Sequence, residues 1–149
     1  MSKSTISKKI LFWYDNNKRI LPWRKNTSKE QKLYFTLVSE FMLQQTQVST
    51  VIPYFKRFVQ KIPNFKKLSK ANDQTLMKLW EGLGYYSRAR NLKKSAIMIN
   101  GKFGGTLPSN IEDLKSLPGV GDYTSTAIMA IAFNQKFIPL DGNVERILK

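Results

Sequence analysis

The chain has 149 residues with no cysteine and no histidine, and 25 Lys and Arg stand against 10 Asp and Glu for a formal net charge of +15. Those absences exclude a disulfide, a thiolate metal site and a histidine general base, so acid–base chemistry falls to carboxylates, lysine or tyrosine. A hydrophobic fraction of 42% can fill one packed core, no apolar run has membrane-spanning length, the N-terminal stretch does not read as a leader, and the positive surplus favours a polyanionic partner, nucleic acid first.

Residues 4–17 predict a helix with Ile6, Ile10, Leu11 and Tyr14 on one face. Leu21-Pro22-Trp23-Arg24 ends it, and KNTSKEQ over 25–31 reads as a polar loop. From Leu33 to about Gln45 the apolar spacing is helical, through Leu37, Val38, Phe41 and Met42. A second stripe, Val51, Ile52, Phe55, Phe58 and Val59, places a helix from about Ser49 to Gln60, with Pro53 expected in its first turn. Pro63 breaks the pattern. Asn72 or Asp73 caps a short helix through Leu76 and Trp80 that stops at Gly82. GLGYYSRARNL opens a further helix to about Asn100, and glycines mark a loop to 105. Ser109 and Glu112 have capping-box spacing, so a helix should begin at Asn110 and end at Leu117. The last runs from about Tyr123 to Phe133. The fold class is all-α, six or seven helices without a convincing strand.

The tightest break is Leu117-Pro118-Gly119-Val120-Gly121. Glycines at 119 and 121 can adopt positive φ or admit another backbone, and the helix that follows presents unpaired N–H groups and the positive end of its dipole. That suits a phosphate, although a plain helix–helix turn has the same composition. Gly82-Leu83-Gly84 repeats the device before Tyr85, Tyr86, Arg88 and Arg90. These aromatic and cationic side chains suit base stacking and phosphate pairing, and for at least one of the four the plainer expectation holds, a tyrosine packed in the core or an arginine that is merely solvated.

Four stretches in this order, SEFMLQQTQVSTVIPYF, EGLGYYSRARNL, LPGVG and LDGNV, resemble the helix–hairpin–helix DNA glycosylases, and within them the A/G-specific adenine glycosylases. The resemblance covers about Leu21 to Lys149, with Leu33 and Leu37 standing where that family has proline and tryptophan. It implies an endonuclease III-like fold of two helical lobes, with double-stranded DNA and a flipped adenine at the cleft. Residues 1–24 would pack on the second lobe, 25–139 form the six-helix lobe with its hairpin at about 111–133, and 140–149 begin the return into the second lobe. That lobe carries four cysteines and a [4Fe–4S] cluster in the full-length family, and a further domain reads 8-oxoguanine. This sequence has neither, so the expectation is a partial form that self-associates through an uncovered apolar face. A bacterial, cytoplasmic, nucleoid-associated repair protein is expected, with no small-molecule cofactor.

Glycosidic hydrolysis of adenine needs a proton for the departing base and negative charge beside the sugar cation. Glu40 lies at the edge of an apolar stripe, where desolvation would keep it protonated, though its position alone equally suits a surface ion pair. The resemblance assigns it the proton for adenine N7. Asp141, in an Asp-Gly-Asn turn, would steady the sugar cation, and Asn143 would orient a carboxylate or the attacking water. Tyr123 stands where the endonuclease III branch has the lysine that forms a Schiff base, so a monofunctional glycosylase is expected rather than a glycosylase/lyase. The resemblance makes Gln45 the wedge that fills the vacated stack and Tyr85 the residue that inserts opposite, with Gln44, Thr46 and Thr124 contacting nearby DNA. It also offers the backbone carbonyls of Lys115, Leu117 and Val120 to a monovalent cation. A non-catalytic hairpin DNA-binding module is the competing reading.

Overall fold

The computed structural model describes residues 21–25 and 27–134. The predicted helix at 4–17 and the return at 140–149, with Asp141 and Asn143, lie outside them. A 3-10 turn, Pro22–Arg24, precedes seven α-helices, and no strand occurs among the described residues. The helices are α1 (Lys29–Leu43), α2 (Val48–Lys61), α3 (Phe65–Lys70), α4 (Asp73–Trp80), α5 (Ser87–Lys102), α6 (Ile111–Lys115) and α7 (Asp122–Ala132). None of the described helices is long and apolar enough to cross a membrane.

α1 is the central element. Every residue from Leu33 to Ser39 is buried, more than the single stripe its spacing suggests, and it touches the 3-10 turn, α2, α5 and α7. A helix apolar on nearly all sides sits in the middle of a core. Trp23, Phe35 and Phe55 interlock edge-to-face at its flank, with centroid separations of 5.1 and 5.3 Å. Phe41, Met42, Leu92 and Ile128 are fully enclosed where α1, α5 and α7 meet. Tyr34 donates its hydroxyl to the Ile62 carbonyl at 2.5 Å, tying α1 to the end of α2.

Four sequence expectations need correction. The KNTSKEQ loop already contains the start of α1, because the Ser28 hydroxyl accepts the Gln31 N–H at 3.2 Å. Pro53 lies in the second turn of α2, beyond the first-turn position expected for it. It would have donated to Ser49, which is exposed, so water can replace the lost donor. α6 starts one residue late, with Asn110 itself the cap through its 2.9 Å bond from the Asp113 N–H. α3 was not foreseen. Its FKKLSK is too short to reveal a period, and it forms because Asn64 caps it while Phe65 and Leu68 bury one face.

Candidate active site and nucleic-acid interface

The C-terminal end of α1, the start of α5 and the α6–α7 hairpin meet at one end of the bundle. Gly119 adopts φ +84, and a Cβ there would stand 2.9 Å from Phe41 Cε1 and 3.0 Å from Asn91 Cβ. Glycine is thus required both for conformation and for space. Side chains from neighbouring helices hold the turn. Ser95 donates its hydroxyl to the Pro118 carbonyl at 2.9 Å, and Gln44 Nε2 donates to the Gly119 carbonyl at 3.3 Å. Gly121 differs from the expectation. Its φ is −99 and nothing lies within 4 Å of where a Cβ would be, so neither strain nor crowding inside the protein requires glycine there. Lys115 pairs with Asp122 at 2.5 Å across the hairpin, and that contact holds the Asp122 carboxyl below its usual range.

Helix starts divide into two groups. Ser28, Asn64, Asn72 and Asn110 each cap their helix through a side-chain acceptor. The starts of α2, α5 and α7, at Gln47, Tyr86 and Gly121, have no side-chain cap. These three follow directly on the segments that carry Gln45, Tyr85 and Gly119. Uncapped starts leave positive dipole ends and backbone donors available to an anion.

Two of the three described non-glycine residues with positive φ stand at the same place, the third being Asn134 after the end of α7. Gln45 has φ 60 and Tyr85 φ 47, left-handed values that are uncommon for non-glycine residues. Such conformations cost on the order of 1–3 kcal/mol and collect at functional sites. Gln45 is exposed, and Tyr85 projects with 64% of its surface accessible. The loop beneath Tyr85 is fixed from inside. Trp80 Nε1 donates to the Gly84 carbonyl at 3.3 Å, and Tyr54 gives its hydroxyl to the Glu81 carbonyl at 2.8 Å.

Arg88 overturns its expectation. It is only 5% exposed, and its guanidinium is turned onto main-chain carbonyls inside the bundle. Arg90 stays exposed. Leu83, Val120 and Thr124 are buried, so only their backbones or immediate neighbours can meet a ligand. The Gln44 amide is engaged with Gly119 and, at 3.4 Å, with the Thr124 hydroxyl. Thr46 accepts from Arg88 at 3.0 Å. Pro118, Gly82, Gly84 and the half-exposed Tyr86 frame the two turns. The Leu117 carbonyl accepts the Val120 N–H at 3.1 Å.

Glu40, Leu43, Gln44, Gln45, Gly119, Tyr123 and Thr124 line a cavity of about 540 Å³. Within it, burial pushes the Glu40 carboxyl from an ordinary 4.5 up to about 7, with the Arg24 cation pulling weakly the other way. A half-protonated acid at neutral pH can give up a proton there. Tyr123 presents 45% of its surface on the wall. Sequence reasoning passed over Asn91 and Ser95, which shape and hold the hairpin. The signal was present, because residues 88, 91, 95 and 99 fall on one helical stripe facing inward.

The family model for the HhH-GPD superfamily base excision DNA repair protein matches residues 38–149. The chain belongs to the HhH-GPD superfamily. It is 49% identical over 144 residues to the adenine DNA glycosylase of Rattus norvegicus, covering 93% of this chain and 28% of the relative. With the adenine DNA glycosylase of Buchnera aphidicola subsp. Acyrthosiphon pisum it shares 43% over 149 residues, covering 99% of this chain and 41% of the relative. The chain thus spans well under half the length of these relatives. A thermostable thymine-DNA glycosylase superposes with a TM-score of 0.84 at 29% identity, over 98% of this chain and 65% of that one. An endonuclease III bound non-covalently to DNA shares the fold, with a TM-score of 0.80 at 23% identity. The chain has no cysteine, so its residues do not fit a four-cysteine iron–sulfur cluster.

Proposed function

We propose that this chain carries the adenine-excising half-site of a DNA glycosylase acting on adenine mispaired with guanine or 8-oxoguanine. The observation that carries this reading is the Glu40 carboxyl, raised to about 7 in a cavity at the foot of the hairpin. The names of the relatives support the choice of adenine. The uncapped starts of α2, α5 and α7 would take backbone phosphates, and the net charge of +15 would draw the duplex in.

The adenine leaves the stack before reaction. Gln45 and Tyr85 both project in left-handed conformations; Gln45 would fill the space it vacates and Tyr85 would insert between bases of the opposite strand. Glu40 donates its proton to N7, and the electron pair of the breaking glycosidic bond moves into the base. Asp141 steadies the sugar cation, Asn143 orients water, and the water adds at C1′ while its proton passes to a carboxylate. Tyr123 has no amine, so no Schiff base forms and the strand stays intact. The carbonyls of Lys115, Leu117 and Val120 at the turn after α6 would offer neutral oxygens to a monovalent cation, the Leu117 oxygen through the lone pair that the Val120 N–H leaves open.

The test is single-turnover release of adenine from a duplex with adenine opposite 8-oxoguanine. Glu40→Gln should slow release by about 10²-fold or more, the range of general acid catalysis, while duplex affinity holds. Duplex binding without any release by the unaltered chain would leave a DNA-binding module instead.

A further inference from the structure

We infer that Arg88 is a positioning residue: its guanidinium clamps the segments carrying Gln45 and Tyr85 into one pre-set unit. This rests on the reading of those two residues as the pair that enters the base stack.

A buried guanidinium normally needs a carboxylate, and no ion pair to Arg88 occurs among the described residues. Its donors are all spent on oxygen atoms of two chain segments. Nη1 reaches the Met42 carbonyl at 2.7 Å, the Phe41 carbonyl at 3.3 Å, the Thr46 hydroxyl at 3.0 Å and the Gln44 carbonyl. Nη2 reaches the Leu83 carbonyl at 3.3 Å and the Gly84 carbonyl at 3.0 Å, and Nε the Tyr85 carbonyl at 3.4 Å. The charge is compensated by the negative end of α1, whose last carbonyls it collects. A lysine could cap α1 as well. Only a rigid planar fork can hold one segment with one arm and the second segment with the other.

The fork grips the peptide groups that flank the two strained residues. The Gln44 carbonyl belongs to the peptide that leads into Gln45, and the Tyr85 carbonyl is the residue's own. The guanidinium carbon lies over the Trp80 ring, 5.4 Å from its centroid. One side chain therefore holds the peptide that leads into each strained residue, through the Gln44 and Gly84 carbonyls, and sets their separation. The cost of ordering them is met on folding, before a duplex arrives.

Two measurements on this chain test the clamp. The first is affinity for a duplex with adenine opposite 8-oxoguanine against the fully paired duplex, across a salt series. Arg88→Lys should reduce the preference for the mispaired duplex about tenfold and leave the slope of log affinity against log salt unchanged. An Arg88 that contacts phosphate would instead weaken both duplexes alike and, as Arg88→Met, lower that slope by about 0.9, which would overturn the clamp. Thr46→Val removes one oxygen from the grip and keeps its shape, so it should reduce the preference by a few-fold even if the Arg88 variants fail to fold. An unchanged preference in Thr46→Val and in any folded Arg88 variant overturns the proposal. The second measurement is amide hydrogen exchange without DNA. Thr46→Val and Arg88→Lys should speed exchange in 44–47 and 83–86 together; acceleration of one segment alone overturns the clamp. If the unaltered chain shows no preference between duplexes, the excision reading fails, and the exchange result still decides the clamp.

Discussion

Glu40 makes a stability prediction whose sign is unusual for a carboxylate. Its native pKa of about 7 lies above the ordinary 4.5 expected on unfolding. Between those values the native chain keeps a proton that the unfolded chain has released, so raising the pH favours unfolding. Each pH unit in that window is worth about 1.4 kcal/mol, and the whole span sums to about 3 kcal/mol. Glu40→Gln removes the titrating group and little else in shape. Urea titrations of both chains at about pH 5, 6, 7 and 8 read the difference. At the acid end the two should be similar in stability. The variant's advantage should then widen with pH and level off above about pH 7, reaching about 3 kcal/mol. Parallel profiles would refute the argument, because they would mean that Glu40 ionises freely in the folded chain and is not held in a desolvated cavity.

Gly119→Ala meets both the positive φ and the 2.9 Å approach of Phe41, so it should cost about 2 kcal/mol or more in urea denaturation. Gly82→Ala would drive a Cβ into the Tyr54 hydroxyl, and adding Tyr54→Phe should recover part of the lost stability while the strain of φ +97 remains; full additivity of the two losses would contradict the packing. Tyr123→Lys places an amine on the cavity wall and should yield a borohydride-trapped adduct with DNA that the unaltered chain does not give.

The sequence revealed most where a period could be counted. α1, α2, α5 and α7 are long and amphipathic or wholly apolar, so their positions followed from spacing. α3 escaped because two buried residues in six cannot display a period. At the site, the fold brings Glu40, Gln44 and Gln45 of one motif and Tyr123 of another to a single cavity. Arg88 misled for a physical reason. An arginine after two tyrosines looks alike whether it reaches outward to phosphate or inward to carbonyls, and only the folded position of α1's last turn decides. Gly121 misled in the same way: the second glycine of a pair suggests left-handed backbone, yet its φ of −99 is open to any residue.

That openness makes Gly121 the sharpest probe of why α7 starts uncapped. Its φ −99 and ψ −166 are extended, the conformation of an N-cap, and there is room for a side chain. Gly121→Ser should therefore gain on two counts: the hydroxyl can accept an N–H from the first turn, and the unfolded chain loses glycine's freedom. Together these are worth about 0.5–1 kcal/mol of stability. A bundle with no ligand to bind would gain from that change and lose nothing. If the α7 start receives a phosphate, the serine occupies the donors and crowds the approach, so duplex affinity should fall several-fold as the urea midpoint rises. A variant that is both more stable and equally tight on DNA would show that the phosphate sits elsewhere, and that glycine at 121 serves no binding role.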